Sequence, residues 1–438
     1  MNVEISIETT DSQGRTFLTW APIKASARVT EADGASGAIA VTLANGGVDG
    51  GGRVVFDTVR SDDDKPTLDL ELPANGNPVD FWVAGEFGHP SLAYGDAAVE
   101  ATADGNVVGR RELMVRIRKN AMTLTDAERD RFLHAMGTLN EAGQGPFKSF
   151  RAMHVDESND ESHNFAGFGP WHRAYLLDLE RELQKIDAEV ALPYWRFDEP
   201  APSLFAAEFL GSPSDDSSAG DDIDFPAGHP LEFWQTNEGD PIRRRPLFFY
   251  DINAAPPTEL DFGPPDGIQP FVITEADTIA LGDVFSDFRQ PMEFTPHGAA
   301  HSCFSGWVGG IDTAAKDPLF FLLHANVDRL WARWQWLKQR TKPSQAATYS
   351  IDGSRRDPPK DIGHKLNDTM WPWNGIKGNG TRSNPRPQFD PPRPTFPDSP
   401  IVRRPGSKPR VRDMIDYQGV HGDEPLGFDY DDVPFELH

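Results

Sequence analysis

Apolar and polar residues alternate in short runs over about the first 110 positions of the chain. The runs are VEISIE, IKASARVT, AIAVTLA, RVVFDTV, TLDLELP, VDFWVAG and AAVEATA, and clusters of Gly, Asn and Asp separate them. A period of two is typical of strands with one buried face, and short strands divided by turn residues favour an antiparallel sandwich. We therefore predict an immunoglobulin-like β-sandwich domain over residues 1–112.

The apolar spacing changes to a helical period near residue 120. Thr125 and Glu128 have the spacing of a capping box, and the apolar residues that follow recur every three or four positions. Pro170 is expected at the start of the helix PWHRAYLLDLERELQKI, and Asp317-Pro318 at the start of PLFFLLHANVDRLWARWQWLKQR. The predicted fold class is multi-domain α+β, with a mainly helical domain and long loops over residues 113–438.

Six of the 12 histidines form two triplets beside apolar helices. The triplets are His154, His163 and His172, and His297, His301 and His324. Neutral imidazole is a frequent transition-metal ligand, and sites built from imidazole alone suit copper or zinc. A single buried histidine is more often bonded to a backbone carbonyl, but six such residues in two matching groups indicate a pair of metal sites.

Charge and composition exclude several classes of partner. The chain has 42 basic and 68 acidic residues and a net charge of −26, which argues against nucleic acid or an anionic membrane as partner. One cysteine, Cys303, allows no disulfide framework within the chain. The N-terminal residues lack a basic start and an apolar run, and no stretch is long enough to span a membrane. We expect a cytoplasmic globular protein.

The residue types favour copper over zinc at the histidines. Dizinc hydrolases normally recruit Asp or Glu to bridge the ions and tune the attacking water, and no acidic residue has a matching position in either triplet. Two copper ions can share one dioxygen molecule without a protein bridge. A dizinc site or a metal-free scaffold is the alternative.

Residues from about 116 to 435 resemble the tyrosinase and polyphenol oxidase family, the type-3 copper proteins that also include the haemocyanins. The segment HNFAGFGPWHRAYL resembles the first copper motif, ALPYWRFDEP the Pro-Tyr-Trp stretch after it, and HGAAH with KDPLFFLLHANVDRLWARWQ the second copper motif. The resemblance implies two copper ions in a four-helix bundle. It makes the first histidine triplet the ligands of one copper (CuA) and the second triplet those of the other (CuB).

The resemblance also implies an activity: oxidation of o-diphenols (catechols) to o-quinones by O2. Glu293 matches the acidic residue that orients a water near CuB, and Gly298 stands where an Asn is associated with monophenol hydroxylation. Gly298 therefore weighs against the hydroxylase reaction. The C-terminal Phe428 and Tyr430 resemble a motif that packs near an early arginine, here Arg116 or Arg118. The alternatives are an o-aminophenol or secondary-metabolite phenol oxidase, and a haemocyanin-like oxygen carrier.

Overall fold

The alternating N-terminal segments form β-strands in a computed structural model of the chain. This structure describes residues 1–32, 36–63, 65–199, 201–211, 222–246, 272–351, 362–381, 383–422 and 424–437. The N-terminal strands are β1 (Asn2–Ile7), β2 (Phe17–Leu18), β3 (Ile23–Glu31), β4 (Ala38–Asn45), β5 (Val54–Asp57), β6 (Thr67–Pro73), β7 (Val79–Gly85), β8 (Ala97–Ala103) and β9 (Asn106–Val115). Each predicted run coincides with a strand, and burial alternates residue by residue along β1 and β6.

These strands form two sheets that share one core. One sheet has the order β1-β3-β7-β5 and the other the order β2-β9-β8-β4-β6. All neighbours pair antiparallel except the two-residue pairing of β2 with β9. Apolar side chains of both sheets, such as Ile5 and Phe81 in one and Val41 and Val99 in the other, belong to a single buried cluster. The β-rich N-terminal region is confirmed, whereas the immunoglobulin-like arrangement stays a prediction.

Strands β2 and β9 are absent from the predicted set. Strand β9, NVVGRRELMV, has no regular alternation of buried and exposed residues over its first seven positions. Its residues Arg110, Arg111 and Glu112 are three polar residues in succession, so its sequence does not show the period of two. Only its pairing with β8, from Ala97 opposite Leu113 to Ala103 opposite Asn106, makes it a strand.

The chain divides into two compact units whose limits differ from the predicted domains 1–112 and 113–438. One unit is Met1–Arg118, Asp398–Arg404 and Asp416–His438, and the other is Lys119–Pro397 and Pro405–Ile415. The C-terminal residues join the β-rich unit because the buried carboxylate of Asp429 accepts hydrogen bonds from the backbone of Trp20, at 2.9 Å, and of Ala21, at 3.3 Å. Phe435 is also part of its apolar cluster.

The predicted packing of an arginine on the C-terminal aromatic motif is confirmed within this unit. The Arg118 guanidinium donates to the Tyr430 hydroxyl at 2.8 Å and lies 3.7 Å from the ring centroid of Phe428. A cation over an aromatic face is attracted by the ring quadrupole. Arg118, one of the two predicted candidates, therefore packs on this motif.

The second unit is mainly helical. Its α-helices are α1 (Asp126–Asn140), α2 (Phe147–Met153), α3 (Asn159–Ser162), α4 (Phe168–Ile186), α5 (Glu275–Ile279), α6 (Phe285–Met292), α7 (Gly298–Ser302) and α8 (Leu319–Lys338). A π-helical turn, Glu293–His297, connects α6 to α7. A short hairpin pairs β10 (Arg244–Pro246) with β11 (Phe304–Gly306). Turns of 3-10 helix lie at Ala121–Thr123, Glu141–Gly143, Asp156–Ser158, Pro202–Phe205, Trp307–Gly309, Ala314–Lys316 and Val411–Met414.

Local sequence signals place the helix ends to within two residues. Thr125 and Glu128 form the predicted capping box at the start of α1. Helix α4 begins two residues before Pro170, which therefore lies in its first turn. Helix α8 begins one residue after Pro318, where the Asp317 carboxylate accepts from the first backbone amide at 2.9 Å.

The four-helix bundle itself stays a prediction. Among the described helices, none has the length and apolarity needed to cross a membrane.

Candidate metal centre

The first histidine triplet lies where three helices end or begin. His154 follows α2, His163 follows α3, and His172 lies just over one turn inside α4. Their candidate ligand nitrogens are all within 4.8 Å of one another, and all three side chains are buried. The ring centroids are 4.9, 5.0 and 5.7 Å apart. The three residues form one cluster of imidazoles.

The second triplet forms a similar cluster around the π-helical turn. His297 ends this turn, His301 lies in α7 and His324 lies in α8, with ligand nitrogens again within 4.8 Å. Pro296 lies inside the turn and has no amide hydrogen to donate to the helical ladder. π-helical turns inside helices are frequent at functional sites. Here the turn brings the rings of His297 and His301 to a centroid distance of 4.7 Å.

The two clusters adjoin each other across α4 and α8. The rings of His172 and His324 are stacked, with centroids 4.2 Å apart and planes 9° from parallel. The rings of His163 and His297 are 6.0 Å apart. Ions held by the two clusters would be neighbours, which is the arrangement that lets two metals act on one small molecule.

Hydrogen bonds at Nδ1 orient five of the six rings. The acceptors are the carbonyls of Ile311 for His154 (2.7 Å), Phe168 for His172 (2.9 Å), Glu293 for His297 (2.8 Å) and Val308 for His301 (2.6 Å), and the Ser162 hydroxyl for His163 (2.9 Å). A carbonyl oxygen only accepts, and the Ser162 hydroxyl already donates to the Ser158 carbonyl at 3.1 Å. The ring proton of each of these five histidines is thus on Nδ1, and the lone pair on its Nε2 is free for a metal.

The free Nε2 atoms fit a bound cation. Those of His297 and His301 lie 3.3 and 3.2 Å from Nε2 of His324. Those of His154 and His172 are buried and have no hydrogen-bond partner within the described ranges. A buried polar atom without a partner is unfavourable by about 1–3 kcal/mol, and a metal ion removes this penalty at several atoms together. Nitrogen ligands alone suit copper or zinc.

His324 differs from the other five histidines. Its Nδ1 is buried, and no described residue forms a hydrogen bond with it. Its ring stacks on His172 and packs 4.3 Å from the ring centroid of Phe320. Packing, rather than a hydrogen bond, therefore fixes the orientation of this ring.

Burial keeps all six imidazoles uncharged at neutral pH. Loss of hydration lowers the pKa of His154 to about 3 and that of His301 to about 4. The same cause lowers the pKa of the other four, His163, His172, His297 and His324, well below the usual value of 6.5. Neutral imidazole is the form that binds a metal ion.

A cavity of about 210 Å³ opens beside both clusters. His154 and His163 of one cluster and His297 and His301 of the other line it. Its other lining residues are Asn159, Asn164, Glu293, Phe294, Gly298, Ser302, Val308, Gly309, Gly310, Ile311 and Ala314. A small molecule in this cavity can approach both clusters from the same side.

Comparison with known proteins identifies the family of the chain. Residues 144–337 match the family model described as the common central domain of tyrosinase, and all six histidines fall within that range. The chain is 31% identical to the tyrosinase of Streptomyces antibioticus over 274 residues, which are 59% of this chain and 93% of the relative. The chain belongs to the tyrosinase family.

The chain is also similar to proteins that are not called tyrosinases. Over 269 residues, or 51% of the chain and 85% of the relative, it is 30% identical to grixazone synthase of Streptomyces griseus subsp. griseus. It is 28% identical to hemocyanin 2 of Megathura crenulata over 291 residues, which are 62% of the chain and 8% of the relative. Proteins of the tyrosinase family bind two copper ions, and the two histidine clusters can hold that pair.

Glu293 contacts both halves of this tyrosinase-family site. Its side chain is 4% exposed and forms an ion pair with Arg289, which lies one helical turn earlier. Its Oε1 accepts from the backbone amide of Asn164, the residue after His163, and its own carbonyl accepts from His297. We call these contacts the Arg289–Glu293–Asn164 link. Arg289 has the i,i+4 spacing of a helical ion pair, so the sequence carried a signal for it.

A buried ion pair connects α4 to α8 behind the rings. Arg173 Nε donates to Asp328 Oδ1 at 2.6 Å, and both side chains are almost completely buried. Arg173 follows His172, and Asp328 lies one turn after His324.

The remaining sequence expectations concern single residues. His134, in α1, is exposed and belongs to neither cluster, in line with its omission from the predicted ligands. Gly298 lines the cavity, and a Cβ atom there would lie 3.4 Å from the Glu293 carbonyl oxygen. Burial raises the pKa of the Cys303 thiol to about 12, so this residue stays protonated beside His301.

Proposed function

We propose that the chain is a dicopper oxidase that uses O2 to oxidise o-diphenols to o-quinones. The observation that carries the proposal is the convergence of six neutral imidazoles in two adjoining clusters, with two rings of each cluster lining one open cavity. In the proposed reaction, two diphenols lose four electrons and four protons, and one O2 takes them up to give two molecules of water.

In this proposal, the six predicted histidines are the copper ligands. Bound copper would supply the electron transfer between the phenol and O2. The protein holds the uncharged rings in place through their Nδ1 hydrogen bonds and keeps the cavity open. Phe294 and Ile311, which are 48% and 42% exposed at the cavity, offer apolar surface to the ring of a phenol.

We further propose that Glu293 accepts a proton through a water and that Gly298 limits the reaction to diphenols. Glu293 is among the residues that line the cavity, and the proposal requires a water there that hydrogen-bonds to its carboxylate. Gly298 adds no side chain beside His297 that could hold such a water. A monophenol must lose its proton to bind as a phenolate, so a poorly held proton acceptor disfavours monophenols more than the more acidic diphenols.

Two other functions use the same imidazoles, those of an o-aminophenol oxidase and an oxygen carrier, and the relatives of the chain include a grixazone synthase and a hemocyanin. An o-aminophenol oxidase would use the same imidazoles with another substrate in the cavity. An oxygen carrier would bind O2 without turning over a phenol. The open cavity of about 210 Å³, with apolar residues at its surface, favours an enzyme over a carrier.

Oxygen uptake by copper-loaded protein tests the proposal. Catechol, phenol and o-aminophenol differ only in one ring substituent, so their rates separate the three oxidase activities. We expect fast uptake with catechol and slow uptake with phenol. Reversible O2 binding without catechol turnover would instead identify a carrier, and o-aminophenol turnover well above that of catechol would change the substrate class.

Matched histidine variants test the ligand assignment. We expect metal analysis to give two copper ions per chain for the parent protein and less for His172→Ala and His324→Ala, with loss of catechol oxidation. His134→Ala, which changes an exposed histidine outside both clusters, is the control and should leave both values unchanged. Zinc binding with higher affinity than copper, and no oxidase activity, would contradict the proposal.

A further inference from the structure

The β-rich unit contains a cavity of about 310 Å³, larger than the one at the histidine clusters. It is formed by β5 and the residues that follow it, by β7, by Phe87, and by the C-terminal residues 434–436. Its lining residues are Trp20, Pro22, Val55, Phe56, Asp57, Val59, Ser61, Asp62, Asp63, Trp82, Val83, Ala84, Gly85, Phe87, Pro434, Phe435 and Glu436. Concave sites of about this volume are typical of small-molecule binding.

Aromatic side chains form much of the cavity wall. Trp82 lies between Phe81 and Val83, which point into the core, so its own side chain lies on the outer face of the sheet and is partly exposed. Phe87 is 40% exposed and meets the ring of Trp20 edge to face at 5.6 Å. Val59 is 61% exposed. These partly exposed apolar side chains on the concave wall are accessible to a ligand.

The charged residues of the wall are all acidic: Asp57, Asp62, Asp63 and Glu436. Lys65, outside the lining, pairs with Asp57 at 2.8 Å, and Arg60 lies 5.1 Å from the ring of Phe435. The four carboxylates with Lys65 and Arg60 give a net charge of −2. Lys24, opposite Trp82 on β3, is balanced by its ion pair with Asp80. Asp63 is exposed and Glu436 partly so, which leaves both accessible to a ligand.

We propose that this cavity binds a small organic cation, an ammonium group on an apolar body. Aromatic faces attract cations through the ring quadrupole, and the carboxylates also attract a positive charge. An anion of the same size would meet the same charges as a repulsion. In the complex, the apolar body packs on Trp82 and Phe87, and the ammonium group lies near Asp63 and Glu436. This site is separate from the histidine clusters and does not depend on the function proposed for them.

Binding of benzylammonium to the metal-free full-length protein tests the proposal. Titration calorimetry and tryptophan fluorescence both report on it, because two tryptophans line the cavity. Benzyl alcohol and benzoate are the neutral and anionic controls of similar shape, and none of the three probes is a phenol. We expect saturable binding of the cation, weaker binding of the alcohol and no binding of benzoate.

Three variants locate the site. Asp63→Asn and Glu436→Gln should each weaken cation binding about fivefold, the effect of one unit charge at short range in water, and leave benzyl alcohol binding unchanged. Trp82→Leu should weaken both ligands. Glu71→Gln removes an exposed charge of the same unit outside the cavity and should change nothing. If Trp82→Leu does not fold, Asp63→Asn and Glu436→Gln still test whether the cavity binds the cation. Equal binding of benzoate, no saturable binding, or an unchanged affinity in both charge variants would overturn the proposal.

Discussion

Replacing Arg289 by methionine should destabilise the helical unit and weaken copper binding together. Arg289 and Glu293 form an ion pair in which the side chains are 1% and 4% exposed. Methionine keeps much of the side-chain volume but leaves the carboxylate of Glu293 buried opposite an apolar group. Removing one member of a buried ion pair typically destabilises a protein by about 3–5 kcal/mol. We expect a loss of this size in the metal-free protein.

The effect on copper follows from the Arg289–Glu293–Asn164 link. Glu293 accepts from Asn164, which is adjacent to His163, and its carbonyl accepts from His297. One displaced side chain can therefore shift a ligand in each cluster. We expect Arg289→Met to bind fewer than two copper ions per chain, with the remaining copper more readily removed by a chelator.

The assay is denaturant unfolding of the metal-free protein. A parallel experiment with added copper identifies the transition that belongs to the helical unit, because a ligand that binds a native unit stabilises that unit. Lys338→Met is the control, since it breaks the exposed pair with Asp283 and should change stability by less than about 1 kcal/mol. The double variant Arg289→Met/Glu293→Met should be less destabilised than the two single losses summed. A loss below about 1 kcal/mol for Arg289→Met, or additive single losses, would refute the reasoning.

Four further changes test separate parts of the structure. Phe294→Ala should raise KM for catechol with two copper ions still bound, because Phe294 lines the cavity and is not one of the six histidine ligands. Gly298→Asn should raise the ratio of phenol to catechol turnover, since the cavity leaves room for the added side chain. Thr125→Ala should destabilise α1 by about 1 kcal/mol in thermal unfolding through loss of the capping box. Burial raises the pKa of Asp429 from 3.8 to about 7, so the folded state keeps a proton that the unfolded chain loses. The resulting stabilisation is complete below about pH 4 and is lost as pH rises through about 7, and Asp429→Asn should flatten that dependence in unfolding experiments.

Local sequence patterns were sufficient to predict most of the strands and the long helices. The period-two runs predicted seven strands because a residue's side of a strand depends only on its position along it. The capping box of Thr125 and Glu128 marked the start of α1, since both hydrogen bonds of the box lie within four residues. Strand β9 was missed because its first seven residues do not alternate, and its pairing with β8 is a contact between segments rather than a pattern within one.

The sequence by itself determined which residues could be metal ligands, because the six histidines, their spacing and the apolar helices beside them are written in the chain. Only the tertiary structure decided how the rings of His154 and His324 are oriented. Their orientation depends on the bond of His154 to the Ile311 carbonyl and on the stacking of His324 against His172, contacts that join segments remote in sequence. The tertiary structure also decided that the C-terminal residues belong to the β-rich unit. The hydrogen bonds of Asp429 to the backbone of Trp20 and Ala21 span about 400 residues. Hydrogen bonds and packing of this range depend on where the folded chain brings atoms together, which a local pattern does not encode.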